Sequence, residues 1–373
     1  MVFIVFAPFI IFNCDSMKIL FSGGGTLGPV TPLLAIHDMI AAEYLEAEFL
    51  WYGTAAGPER ALVASYHIRF QTLPTAKWRR YLSFLNILDI FRLIHSFFKS
   101  LRLLWYENPS ICISAGGYVS VPVHAAAWFL GIPTWIHQQD VIVGFANKLM
   151  VPFARAITTA LKKNVTDFPA KKVQWVGNPV RNDIFQGSRQ RAYARFGLEP
   201  SLPVVFALGG GTGSVRVNQL IQEAVSHLQG TAQILHLTGK ERPNDFVANA
   251  ERLFLHYHSY QFFTDEMADA YAVADVIVAR GGFGTLAEIA ALAKPAIIIP
   301  KSGHQEENVA YLSAQKAILV LDEATTNGYH VAATIKELLR TEEVRTELGQ
   351  RLEQVLPQAK KQTILGLFAQ LLG

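Results

Sequence analysis

With 373 residues the chain is long enough for two domains, each with a core of its own. Hydrophobic residues make up 51% of it and charged residues 17%, a balance that suits a protein touching a membrane. A net charge of +3 is too weak to argue for nucleic acid, and Cys14 and Cys112 match neither a metal-ligand nor a disulfide pattern, so a reducing cytoplasm is the simple reading.

Val2 to Phe12 is an unbroken apolar run. It is shorter than the ~20 residues of a spanning helix and lacks the basic start of a secretory signal. Residues 1–16 read as an extension ahead of a start at Met17, with a short membrane-dipping segment as the alternative. Lys18 to Phe21 is the first predicted strand, closed by Ser22-Gly-Gly-Gly-Thr-Leu-Gly28. Thr31-Pro32 then reads as an N-cap followed by proline at the first helical position. Further strands are predicted at Phe49–Tyr52, Ile111–Ser114 and Thr134–His137. Gly177-Asn-Pro-Val-Arg181 marks a junction between domains. The pattern restarts at Val204–Leu208, followed by Gly209-Gly-Gly-Thr-Gly213 and a helical stripe of Val217, Leu220, Ile221, Ala224, Val225 and Leu228. Strands follow at Ile234–Leu237, Gln261–Phe263, Val276–Ala279 and Ala296–Ile299, and the C-terminal residues are helical.

This alternation predicts an α/β fold of two Rossmann-like domains facing a cleft, spanning 17–180 and 181–345, with a helical segment at 346–373. Three apolar strands stop at glycine clusters: after Phe21, after Leu208, and after Ala279 at Arg280-Gly-Gly-Phe-Gly284. A strand, a glycine turn and a helix start present backbone N–H groups at the positive end of a helix, which suits phosphate and diphosphate. Gly23, Gly25 and Gly28 satisfy G-x-G-x-x-G, a weak signal alone. The second strand ends Leu50-Trp-Tyr-Gly-Thr54 without the acid a dehydrogenase needs, Glu48 lying near its start instead, and no Walker lysine follows any loop. Residues 76–106 interleave Lys77, Arg79, Arg80, Arg92, Lys99 and Arg102 with aromatics, Trp78 among them. That is the pattern of an interfacial contact with an anionic membrane surface, the rival being core helices with solvated basic edges.

Gly24-Gly-Thr-Leu-Gly28 with Val30 and Pro32 resembles the first glycine loop of the MurG family, the lipid II-forming N-acetylglucosaminyltransferases of peptidoglycan synthesis. Gly116-Gly-Tyr-Val-Ser-Val-Pro122, His137-Gln-Gln-Asp140 with Gly144 and Asn147-Lys148, Gly177–Arg181, Gly209–Gly213 with Asn218, Arg280–Glu288, and His304-Gln305 with Asn308 resemble its other motifs in order. The resemblance implies the GT-B fold, a C-terminal helix returning to the N-terminal domain, and inverting transfer of a sugar from UDP-N-acetylglucosamine to a polyprenyl-pyrophosphate-linked acceptor. It places the protein peripherally on the cytoplasmic face of the inner membrane, with no nucleic-acid partner, no cofactor and no metal. Thr264 should meet the uracil, and Phe283, Gly284, Thr285, Leu286, Ala287 and Glu288 the ribose and diphosphate. Arg181 and Gly211 should lie by the diphosphate, Gln305 by the sugar, and Thr26, Leu27, Gly28 and Asp140 on the acceptor and sugar side.

Several positions depart from the family. Pro29 stands where a histidine is usual and cannot ionise. Gln138 and Asp140 replace the glutamate and asparagine of His-Glu-Gln-Asn, and Gly211-Thr212 replace Ser-Gln. His137, with Asp140 beside it, is the expected base or acceptor-orienting pair. Plainer roles compete: Glu288 as the partner of Thr285 in a capping box, Arg181 in an interdomain ion pair, His137 as a structural histidine, His304 as a surface residue, Tyr118 as a packing residue. Other readings also stand open: a GT-B enzyme with a different acceptor, a nucleotide-sugar-binding protein that has lost catalysis, and a nicotinamide oxidoreductase.

Overall fold

The computed structural model describes residues 17–74, 84–210, 213–239, 254–263 and 265–373, with the side chains of 84–90 and 304 outside that description. The expectations placed on residues 1–16, on Lys77, Trp78, Arg79 and Arg80, and on Gly211 and Thr264 lie outside the described residues.

The first lobe is a parallel sheet of β1 (Lys18–Ser22), β2 (Glu48–Gly53), β3 (Arg69–Thr72), β4 (Ile111–Ser114), β5 (Thr134–Gln138), β6 (Ala156–Thr159) and β7 (Val173–Trp175), in the order 3-2-1-4-5-6-7. The second is built from β8 (Val204–Leu208), β9 (Gln233–Leu237), β10 (Tyr257–Tyr260), β11 (Val276–Ala279), β12 (Ala296–Ile298) and β13 (Leu319–Val320), in the order 10-9-8-11-12-13. Each order reverses beside its first strand, between β1 and β4 and between β8 and β11. Loops at such a switch point diverge and leave a crevice at the carboxyl ends of the strands. The glycine turns after β1, β4, β8 and β11 all fall there.

The central strands read as apolar runs because helices cover both faces. Those helices are α1 (Thr31–Ala41), α2 (Glu59–Ser65), α3 (Phe84–Glu107), α4 (Ser120–Phe129) and α5 (Phe145–Met150) in the first lobe. The second carries α6 (Arg189–Phe196), α7 (Val215–Leu228), α8 (Met267–Val273), α9 (Phe283–Ala291), α10 (His304–Ala314), α11 (Gly328–Arg340) and α12 (Glu342–Val355), and α13 (Lys361–Leu372) closes the chain. The predicted stripe of α7 is buried at all six positions.

Two predictions shift. The strand expected at Gln261–Phe263 is β10, a few residues earlier, where Tyr257 to Tyr260 pair with Ile234 to Leu237. Phe263 is buried for another reason: it stacks among Phe196, Phe206 and Tyr260. The N-cap of α1 is Val30 rather than Thr31, so Pro32 takes the second helical position.

The chain crosses to the second lobe through Gly177–Val180 and returns through 357–359. The two crossings are stitched together by Asn178 N–H to Pro357 O and Ala359 N–H to Asn178 O, both 2.9 Å. The C-terminal segment thereby serves both lobes. Leu352 and Leu356 pack into the second core, while Ile364, Phe368 and Leu371 of α13 pack into the first. Their i, i+4, i+7 spacing puts them on one face, and burying each contributes roughly 1.5–3 kcal/mol to the tie.

Helix α3 buries Ser96, Ser100 and Leu104 along one line and packs on α4. Its outer face is aromatic: Phe98 is 61% and Trp105 75% exposed, with Phe91 and Tyr106 exposed beside them. Among the described residues no helix is long and apolar enough to cross a membrane.

Candidate functional site

The first wall of the cleft is the loop from Gly23 to Val30. Gly25 holds φ +84°, a left-handed conformation that favours glycine. Its N–H is turned inward to Glu59 Oε2 at 3.1 Å. The amides of Thr26, Leu27 and Gly28 have no partner among the described residues and stand at the rim, beside the first turn of α1. The loop after β4 lies against this one: a β-carbon on Gly117 would stand 3.0 Å from Gly24 O. Ser120 Oγ ties them, its single proton shared between Ser22 O at 2.9 Å and Gly116 O at 3.0 Å. Tyr118 is partly exposed at the lip rather than packed inside.

The second wall is the start of α9. Gly282 is its N-cap in an extended conformation, with no side-chain cap, so the amides of the first turn stay open to an anion. Phe283, Leu286 and Ala287 have buried side chains and offer only backbone there. Gly284, Thr285 and Glu288 are half-buried on the cleft side. Glu288 does not cap the helix. Its Oε1 accepts from Arg181 at 3.0 Å and its Oε2 from the Tyr271 hydroxyl at 2.9 Å. Arg181 therefore forms an ion pair, but with a partner in its own lobe rather than one that links the two domains. Burial alone would lower its pKa; the charges of Glu288 and Asp183 outweigh that and hold it above the ordinary arginine value. Burial, and then the neighbouring Glu288 charge, raise the pKa of Tyr271 well above the ordinary phenol value. Gln305, in the first turn of α10, accepts from Lys301 N–H at 3.0 Å and lies beside the turn: a β-carbon on Gly281 would approach its Cβ to 3.4 Å.

The two walls face each other closely. A β-carbon on Gly284 would stand 2.9 Å from Thr31 Oγ1 of α1, so the N-termini of α1 and α9 meet across the cleft. Asp140 and Asn308 add a second bridge, Asn308 Nδ2 donating to Asp140 Oδ1 at 2.8 Å while Asn308 Oδ1 accepts from Val141 N–H at 2.9 Å.

The pairing expected of His137 and Asp140 needs correction. His137 is wholly buried. Its Nδ1 lies 2.9 Å from Thr158 Oγ1 and its Nε2 3.4 Å from Asn178 Oδ1. An Nε2–H donor to the Asn178 carbonyl, with Nδ1 accepting from the threonine, uses both ring nitrogens. Burial lowers its pKa to about 4, with the Asn178 bond opposing. The ring is a neutral strut beneath the crossing strand, no hydrogen bond joins it to Asp140, and it cannot serve as the base. Asp140 is half-buried, and its Oδ2 has no partner among the described residues. Gln138, standing where the family has glutamate, donates to the carbonyls of Asp140 at 2.8 Å and Ile142 at 3.2 Å and accepts from Asn147 at 2.6 Å. A carboxylate has no protons to donate to those two carbonyls, so the amide suits this loop.

Sequence reasoning missed Tyr271, Glu59 and the bridging role of Asn308. Tyr271 reads as one more apolar residue of a buried helix, and Asn308 as one polar residue on α10. The one available signal was at Glu59, an acid set among Gly53, Gly57 and Pro58.

Two Rossmann-like lobes with glycine turns at both switch points, meeting over a cleft, define the GT-B architecture, which glycosyltransferases share with UDP-N-acetylglucosamine 2-epimerases. The sequence matches the glycosyltransferase family 28 N-terminal domain over residues 19–159 and the glycosyltransferase family 28 C-terminal domain over residues 204–362. A UDP-N-acetylglucosamine--N-acetylmuramyl-(pentapeptide) pyrophosphoryl-undecaprenol N-acetylglucosamine transferase of Shouchella clausii is 33% identical over 312 residues, 84% of this chain and 84% of its own. The protein of the same name from Legionella pneumophila strain Paris is 30% identical over 331 residues, 87% of this chain and 90% of its own. The crystal structure of Acinetobacter baumannii MurG superimposes with a TM-score of 0.73 at 22% identity, covering 95% of this chain and all of that one. The chain belongs to glycosyltransferase family 28 and, within it, to the MurG family.

Proposed function

We propose that the protein transfers N-acetylglucosamine from UDP-N-acetylglucosamine to a MurNAc-pentapeptide carried on polyprenyl pyrophosphate, with inversion, turning lipid I into lipid II. The observation that carries this reading is the meeting of the α1 and α9 N-termini at Thr31 and Gly284. One bare helix start favours the donor's diphosphate, and the amides of Thr26–Gly28 favour the negative headgroup of the acceptor. As the glycosidic bond breaks, charge grows on the UDP leaving group. The first-turn amides of α9 and the Arg181 guanidinium oppose it, and a single oriented donor of this kind contributes on the order of 3 kcal/mol. Glu288 takes the ribose hydroxyls and Gln305 the sugar. Asp140 accepts the proton of the attacking hydroxyl through Oδ2. Attack from the face opposite the departing diphosphate inverts the anomeric carbon.

The acceptor is lipid-linked, and the exposed aromatic face of α3 supports a peripheral seat on the membrane. Arg92 and Arg102 on the same helix favour anionic lipid at the cytoplasmic face.

The test is UDP release from UDP-N-acetylglucosamine with and without a short-chain lipid I analogue. Release that depends on the analogue supports the reading. Binding of the donor with no release would favour a lapsed enzyme, and release only with another glycan or lipid would reassign the acceptor.

A further inference from the structure

Glu59 takes no part in the chemistry described above. It opens α2, is wholly buried, and has no cationic partner among the described residues. Three donors hold its carboxylate: Gly25 N–H on Oε2 at 3.1 Å, and Thr54 N–H at 2.7 Å and Thr54 O–H at 2.5 Å on Oε1. The space is shaped for it. A β-carbon on Gly24 or on Gly57 would overlap the carboxylate, whereas one on Gly53 would first meet the Phe70 ring. Glycines from two separate segments of chain thus line one acid. Burying a carboxylate costs several kcal/mol unless donors surround it, so the acid and the glycine loop fix each other's position.

The consequence falls on the cleft. Glu59 draws the Gly25 N–H inward, and the left-handed φ of +84° at Gly25 turns the chain so that the next amides, of Thr26, Leu27 and Gly28, face outward unpartnered. Val30 and Thr31 N–H both close back on Leu27 O, at 3.1 and 3.2 Å, so the loop's shape is handed directly to the start of α1.

We propose that Glu59 is a positioning residue for the acceptor: from behind the first glycine loop it decides which amides face the acceptor's negatively charged headgroup. The proposal rests on the glycosyl-transfer reading. Glu59 touches no substrate and acts only through the loop. Disturbing it therefore raises the acceptor KM and leaves the α9 site, on the other lobe, unchanged.

In Glu59→Gln one oxygen becomes an NH2 group that cannot accept from Gly25 or Thr54. In Thr54→Val the hydroxyl alone is lost at nearly constant volume. Steady-state kinetics with the short-chain lipid I analogue should show the acceptor KM raised about tenfold or more in the first variant and about threefold in the second, with the donor KM and the Kd of UDP within about twofold of wild type. Amide exchange at the hydrogen-bonded Gly23 and Gly25 should quicken about tenfold in both while that of 283–288 stays as in the wild type. If Glu59→Gln does not fold, Thr54→Val is judged by the same criteria. An unchanged acceptor KM with unchanged exchange overturns the proposal, as does a parallel loss of donor and acceptor affinity with a fall in Tm. A wild-type protein that turns over no lipid I analogue counts against the transferase reading, and the exchange measurement then decides the role of Glu59 alone.

Discussion

Asp140 and Asn308 are joined across the cleft by a hydrogen bond of 2.8 Å that uses only one oxygen of the carboxylate. The other oxygen is the acceptor left at the cleft end of β5 once His137 is accounted for as a strut. Asparagine at this position keeps an oxygen for Asn308 and removes the basic one. Asp140→Asn should lower kcat by about 10²–10⁴ while the donor KM changes little and Tm stays near the wild-type value. Steady-state kinetics and a melting curve on one preparation check this. A variant retaining most of its kcat would remove Asp140 from the role.

Arg181 and Glu288 should behave as a coupled pair. Their side chains are 19% and 12% exposed. Removing the arginine leaves Glu288 with only the Tyr271 hydroxyl. Arg181→Ala should cost about 2–3 kcal/mol, below the 3–5 of a fully buried pair because solvent screens part of the charge. The Arg181→Ala, Glu288→Ala double variant should recover part of that loss. Donor affinity should fall about tenfold or more in each single variant. Urea unfolding and UDP calorimetry give both quantities, and simple additivity of the two substitutions would contradict the coupling.

Three buried histidines make stability pH-dependent. Burial lowers the pKa of His124 and of His236 to about 3 and that of His137 to about 4, from an ordinary 6.5. In the window between those values and 6.5 the unfolded chain binds protons that the folded chain refuses. Stability is therefore full above pH 6.5 and falls as the pH drops through the window, by about 1.4 kcal/mol per pH unit for each ring. His124 and His137 both belong to the first lobe, so Tm should drop steeply between pH 6.5 and pH 5. The His124 ring has no hydrogen-bond partner among the described residues, so His124→Leu forfeits none of theirs and should flatten the slope by about a third. An unchanged slope would mean that the ring is not held neutral.

The fold was legible because both sheets are buried on two faces, so their central strands stand out as apolar runs stopped by glycine. What escaped were the strands without that contrast. β3, β7 and β13 are short and half-exposed, and β6 is Ala-Ile-Thr-Thr, buried yet half polar. The glycine turns could be read from spacing within one segment, whereas the spacing of Thr285 and Glu288 suggested a capping box that Glu288 does not form. The role of Glu59 could not be read that way, and at His137 the structural and the catalytic readings stood side by side, because each is decided by a partner brought from afar: Gly25 for the acid, Asn178 for the histidine. His137 stands at a strand end among polar residues, and only the fold reveals that the crossing strand covers it.

The outer face of α3 should govern membrane attachment without touching chemistry. Replacing Phe98 and Trp105 by serine removes the aromatic surface that would enter the headgroup region. Flotation with anionic vesicles should lose most of the bound protein, while turnover of a water-soluble acceptor stays within about twofold of wild type. Undiminished flotation would assign this face another purpose.

The contact between Gly284 and Thr31 offers a test of cleft geometry that needs no assumption about the base. An alanine β-carbon at Gly284 would press on Thr31 Oγ1 at 2.9 Å, closer than such atoms normally approach, so either the threonine hydroxyl or the two helix N-termini must shift. A displacement of a few tenths of an ångström between the reacting groups is enough to slow a reaction that depends on alignment. Gly284→Ala should therefore lower kcat about tenfold or more. Thr31→Ala alone removes the hydroxyl and should be mild, since its bond to Gly28 O is long at 3.5 Å. Combined, the two substitutions should restore much of the lost rate, because the next atoms of Thr31 stand back at 3.8 Å. A double variant as slow as Gly284→Ala itself would show that the glycine is needed for the turn of α9 and not for the approach of the lobes.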